Sequence, residues 1–420
     1  MKVFVFLTIT LLIISTKPSC FAETPKVNFQ NKIHQYLELS PQDPFSSFKI
    51  RLENGEIKLN FDSEIKYLES LLSELSISPS SQLLVYSTTS LQLSRISPYN
   101  PRAIYFTDDI YIGYVPGGQI EVIGIDPQLG AIPYIFNLPK SDDLKHPTIY
   151  RSKRCMKCHA SHEIGGAPGL LVSSVVAGPG GGTIDRFRKQ DFGHGVSFNQ
   201  RFGGWHITGE HPFNKSWANQ TGMMINNKVH KVANPPGKYF SWNKYLTNES
   251  HIVPHLIFEH QIGFINRCIS TTYRFRELQL RSEQPHFRQH ENKFIESETN
   301  SLLSYILFQN EAQLPPNQIN KETKFIVDFE KTEKSNLGST QLRKLNLKNR
   351  LFENRCSYMI FSSSFRGLPG VIKKSLFHKL KVVLSAKQSE LPSEYSYLKE
   401  DERVKILSIL SQSFQGFPNS

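Results

Sequence analysis

The sequence predicts an α+β fold, with a β-rich N-terminal half, a loop-rich middle and a mainly α-helical C-terminal half. Three observations predict it. Short runs of β-branched and aromatic residues alternate with turn residues from Leu83 to Phe136. A glycine-rich stretch of weak periodicity follows the Cys155 to His159 motif. Beyond His251, apolar residues recur at helical spacing.

The chain has 420 residues and ordinary globular composition, with 39% hydrophobic and 20% charged residues. Residues 1–22 read as a secretory signal peptide. Lys2 supplies the positive end, Val3 to Ile14 is an apolar run broken only by two threonines, and Cys20-Phe21-Ala22 offers a cleavage site. The apolar run is too short for an ordinary span, and no later stretch reaches the ~18 apolar residues required. Lys17, three before Cys20, argues against a lipoprotein signal. Cleavage would deliver the chain to the periplasm, and losing Lys2 and Lys17 from a net +12 leaves +10. That surplus suits an acidic redox partner or an anionic surface, and equally a solvated lysine-rich surface. No basic block interleaved with aromatics supports nucleic-acid binding, and oligomeric state cannot be read from the chain.

Residues 23–82 form a helical segment, with Ile65, Leu68, Leu72 and Leu75 on one stripe. Residues 83–285 form a β-rich core that contains the Cys155 to His159 motif. Its strands begin with Leu83 to Tyr86, Ala103 to Phe106, Ile110 to Tyr114 and Ile120 to Ile125. Gly165 to Gly169 and Gly178 to Gly182 are loops, and the second lacks the Lys-Ser/Thr ending of a phosphate loop. A long helix is expected from His251 to about Leu280. Residues 286–420 form the mainly helical C-terminal region, with helices near 290–309, 371–386 and 398–412. The polar stretch 311–345 reads as a loop or hairpin.

Cys155-Met156-Lys157-Cys158-His159 carries the chemistry. Two thiols three residues apart sit on one side of a helical turn, and a histidine directly follows. This is the pattern that attaches a c-type haem through two thioethers and supplies the proximal iron ligand. With five cysteines and fourteen histidines, chance would produce it about 0.002 times per chain. One motif implies one covalently attached haem c, with Cys155, Cys158 and His159 as its cofactor residues and His159 on the iron. A zinc site would need more ligands at finger spacing. The His251/His255 and His286/His290 pairs lie too far from the cysteines. Cys268 and Cys356 are either a disulfide or two buried thiols.

The sixth ligand has several candidates. His260 shares an apolar stripe with Val253, Ile257 and Phe264, which suits either a ligand or a core histidine. His194, His206 and His211 flank the aromatic run Arg201 to Trp205, which would pack against a porphyrin. Met223 and Met224 could supply a thioether, and an open site is the remaining case. His260 is taken as the metal ligand beside His159. One-electron transfer is the function expected first. The alternatives are a peroxidase-like haem oxidoreductase with an open distal site, a haem-based sensor, or a subunit of a redox complex.

Over residues 83–418 the chain resembles a family of exported bacterial mono-haem cytochrome c-like proteins of unsettled activity. The likeness lies in Pro101 to Phe106 with Asp109 and Tyr111 to Gly113, in Asp126 to Gly130, and in Gly169 to Val175. It continues through Arg201 to His211, Glu259 to Gln261, Arg350 to Phe352 and Cys356 to Tyr358. The resemblance implies haem binding and export, and histidines at His159, His194, His211 and His260. The chain departs from the pattern at His206, where tyrosine is usual, and over Pro212 to Met224.

Overall fold

Asp43 starts α1 (Pro44–Glu53), the first α-helix among the described residues, by accepting hydrogen bonds on Oδ1 from the amides of Phe45 and Ser46. The structure is a computed structural model and describes residues 26–139, 148–186, 192–213, 215–316, 318–331, 337–414 and 417. The signal segment read at residues 1–22 lies outside the described residues. Ser63 caps α2 (Glu64–Glu74), whose Leu68, Leu71 and Leu72 are buried. The strands follow as β1 (Leu83–Val85), β2 (Arg102–Phe106), β3 (Ile110–Tyr114), β4 (Gln119–Asp126), β5 (Gly130–Asn137) and β6 (Tyr150–Arg151). The cysteine motif forms a single turn, α3 (Met156–His159). Then come β7 (Val175–Ala177), β8 (Thr183–Arg186), β9 (Trp205–His206), and the hairpin of β10 (Gln220–Ile225) and β11 (Lys228–Ala233). The helical half holds α4 (Ile252–Gln279), α5 (Phe287–Ile306), α6 (Lys324–Glu330), α7 (Leu337–Leu342), α8 (Ser363–Arg366), α9 (Gly370–Ser385) and α10 (Glu400–Ser413).

The fold is therefore α+β, β-rich first and mainly helical after. Seven antiparallel strands form one sheet in the order β6-β5-β4-β3-β2-β1-β9. One face carries Ala103, Tyr105, Ile112, Tyr114, Val122, Tyr134 and Phe136, following the register of the ladder. This face packs on α1, where Phe45 lies 5.0 Å from the ring of Tyr134. Tyr134 donates to Asp43 Oδ2 at 2.6 Å, tying the helix start to the sheet. Gly124 makes the approach possible, because a Cβ there would sit 1.9 Å from Asp43 Oδ1.

The other face carries Arg102, Ile104, Tyr111, Gly113, Glu121 and Ile123 and looks toward α4. Every residue from Ile252 to Ile265 is buried. This half of α4 lies between the sheet and the C-terminal helices, and each fully buried aliphatic or aromatic side chain contributes about 1.5–3 kcal/mol. One hydrophobic cluster runs from Val27 to Phe417 and draws on α1, α2, β1 to β5, α4 and the C-terminal helices, and a smaller one joins Tyr86 to Val175 and Ala177 of β7.

The polar stretch 311–345 differs from expectation. It contains α6, started by Thr323 accepting from the Ile326 amide and anchored by buried Phe325, Ile326 and Phe329, and it contains α7. The polar and charged residues between these apolar anchors masked the short helical period. No helix of the described residues is long and apolar enough to cross a membrane.

Candidate haem-binding site

Cys155, Cys158 and His159 line one cavity, of about 960 Å³ when the open solvent at its mouth is included. The α3 turn sets them there. The amides of Cys158 and His159 both donate to the Cys155 carbonyl, at 3.1 and 3.0 Å, so the motif coils tightly enough to turn all three side chains toward one wall. Met156, between them, is buried the other way and accepts from the Tyr36 hydroxyl at 3.2 Å. Cys155 and Cys158 are both free thiols. Burial pushes the Cys155 thiol up, partly countered by its hydrogen bond to Ser152 Oγ.

His159 Nδ1 lies 3.0 Å from the carbonyl oxygen of Gly169. A carbonyl only accepts, so Nδ1 carries the proton and Nε2 keeps its lone pair. Burial lowers the His159 pKa, with the Gly169 bond acting against it, so the ring is neutral near pH 7. Two thiols and a neutral imidazole with a fixed tautomer fit the attachment groups of a c-type haem.

The cavity floor is the sheet face opposite α1. Gly113 lies between Arg102 and Glu121, and a Cβ there would come within 3.4 Å of both side chains. Its bare backbone leaves a trough across which Arg102 Nη1 reaches Glu121 Oε2 at 2.9 Å. Ser90 and Gln92 donate to Glu121 Oε1 at 2.6 and 3.0 Å. Burial would raise the Glu121 carboxyl, but the Arg102 charge and these bonds hold it below the usual range. Leu170 closes one side, held by its amide to Asn266 Oδ1 at 2.8 Å. Trp205, fixed by Nε1 donating to the Ser173 carbonyl, and Phe258 and Ile262 of α4 close the other.

The residues read from the sequence separate here. The Cys155, Cys158 and His159 group comes together, and Trp205 of the aromatic run joins it. His260 does not. A helix turns about 100° per residue, so His260, two positions from both Phe258 and Ile262, lies about 160° around the helix from each of them. His260 Nδ1 instead meets His194 Nδ1 at 2.8 Å, and Nε2 meets Ser357 Oγ at 2.8 Å. Burial lowers the His260 pKa to about 3 and carries His194 well below its usual value, with His260 as a further cause.

His206 is buried against the rings of Tyr86 and Phe240, and His211 stacks on Phe213. Met223 and Met224 are 42% and 52% exposed on the β10–β11 hairpin. None of these lines the cavity. Cys268 and Cys356 are free thiols buried in the core. Among the described residues, no group of three or more His, Cys, Asp or Glu side chains is arranged to hold a metal ion.

Sequence reading missed the Arg102–Glu121 pair and Ser90. The signal was present as two charges at alternate positions of otherwise apolar strands, a pattern that on a buried face marks a paired charge. No family model matches the chain, and no curated protein or solved structure matches it either. The likeness to exported haem proteins thus rests on the segments quoted above.

Proposed function

We propose that this is an exported, periplasmic c-type haem protein that binds one haem and moves single electrons. The observation that carries it is the convergence of Cys155, Cys158 and a tautomer-fixed His159 on one cavity wall. Cys155 and Cys158 would each add S–H across a vinyl group of the macrocycle, with sulfur bonding one carbon and hydrogen the other. His159 Nε2 would hold the iron, and the Gly169 carbonyl would fix the tautomer and orientation of its ring and raise its basicity. The bound group would supply the ferric/ferrous couple. Apolar walls of leucine, isoleucine, tryptophan and phenylalanine would exclude water and tune the potential. The positive surface supports an acidic redox partner.

Expression with its own N-terminus in a host that matures c-type cytochromes tests this. Haem should stay with the polypeptide through a denaturing gel. A Cys155→Ser/Cys158→Ser double variant should lose that covalent haem. Retention of covalent haem by the double variant, or its absence from the wild type, would reject the reading.

A further inference from the structure

We propose, resting on the haem reading above, that the cavity keeps the second axial position of the iron for a small uncharged external ligand rather than for a protein side chain. Among the described lining residues, each side chain able to compete is engaged elsewhere. Tyr111 donates its hydroxyl to Gln261 Oε1 at 2.9 Å, and Tyr134 donates to Asp43 Oδ2 at 2.6 Å. Burial raises both phenols, so neither is a phenolate. The two oxygens of Glu121 are taken by Ser90, Gln92 and Arg102.

Among the described lining residues, His159 is the only imidazole, and no methionine or lysine lines the cavity. Of the described buried imidazoles outside the lining, His206 is packed between the rings of Tyr86 and Phe240. His194 and His260 bond each other, and His255 Nε2 lies 3.1 Å from Ser250 Oγ and 3.2 Å from the His206 carbonyl.

The walls also define the ligand class. Ile104, Ile123, Leu170, Trp205, Phe258 and Ile262 are apolar, and Arg102 is neutralised by Glu121. Such a lining solvates an anion poorly and a neutral diatomic well. It offers no free acid or base to move a proton, so reversible ligand binding is favoured over peroxidase-type chemistry.

The experiment uses the full, matured protein and carbon monoxide. The ferric form should be high-spin by electron paramagnetic resonance. The ferrous form should bind carbon monoxide saturably, with a shifted Soret band, at one per haem. His260→Ala should keep this spectrum. Ile262→His, which places an imidazole on the wall, should convert the iron to low spin and weaken carbon monoxide binding at least tenfold.

Covalent haem that is low-spin and indifferent to carbon monoxide would overturn the inference while leaving the haem reading intact. So would a His260→Ala variant that turns a low-spin spectrum high-spin. A polypeptide without covalent haem would instead reject the haem reading, and this inference with it.

Discussion

His194 and His260 meet Nδ1 to Nδ1 at 2.8 Å in the core, with His260 bonded onward to Ser357. Only one of the two facing nitrogens can carry a proton, so the pair is stable as two neutral rings. Both rings are buried and stack on Phe308 and Tyr305, so a proton on either would be placed in an apolar surrounding.

This pair gives a pH-dependent contribution of defined sign. His260 falls from an ordinary value of about 6.5 to about 3 on folding, so the unfolded chain binds the extra proton between those values. Its contribution is complete above pH 6.5 and is lost as pH falls. Arg267 adds to the shift. From pH 7.5 to 5, wild type should lose about 2 kcal/mol more than His260→Gln, which cannot titrate. Urea titrations at the two pH values measure it. Equal losses in both proteins would refute a neutral buried His260.

Gly113 sets the depth of the trough under the candidate haem. Gly113→Val would project methyl groups between Arg102 and Glu121 and into the cavity. Folded protein should still be recovered, with covalent haem per polypeptide reduced several-fold, read from the ratio of Soret to protein absorbance. Full loading would show that this wall does not face the macrocycle.

Arg102 and Glu121 are 15% and 18% exposed at their side chains, so each charge depends on the other. Arg102→Met should cost about 2 kcal/mol by leaving a carboxylate unpaired beside Ser90 and Gln92. Adding Glu121→Gln should restore more than half of that. A double-mutant cycle by chemical denaturation checks the coupling, and strictly additive losses would contradict it.

Asp43 caps α1 with one oxygen and receives Tyr134 with the other. Asp43→Ala removes both functions and should destabilise the fold by about 2–3 kcal/mol. Tyr134→Phe removes only one and should cost less. The order of the two denaturation midpoints is the test.

The α+β order, the early strands and the helices α5, α9 and α10 were legible because apolar residues recur in them at strand or helical spacing, and α4 because its apolar run is long. Residues His260 and Phe258 show where legibility stopped. Periodicity singles out a stripe only on an amphipathic helix, and α4 is buried on every side from Ile252 to Ile265. The stripe through Val253, Ile257, His260 and Phe264 was therefore no better marked than the one through Phe258 and Ile262. Local spacing brought Cys155, Cys158 and His159 together because one helical turn does so. The Arg102–Glu121 pair depends on strand register, and His194–His260 joins residues 66 apart, which no local period encodes.

The burial of α4 also makes one wall of the cavity depend on later parts of the chain. This helix walls the cavity and buries its far side only against α5 and the segment around Ser357, both of which follow the cysteine motif in the sequence. The seating of that wall thus rests on contacts between parts of the chain far apart in sequence. Cys158 nevertheless stays exposed and Cys155 half-buried in the folded chain. The two thiols are therefore open to reagents in solution after folding as well as before it, and an alkylating probe should label Cys158 in the native protein while sparing the buried Cys268 and Cys356.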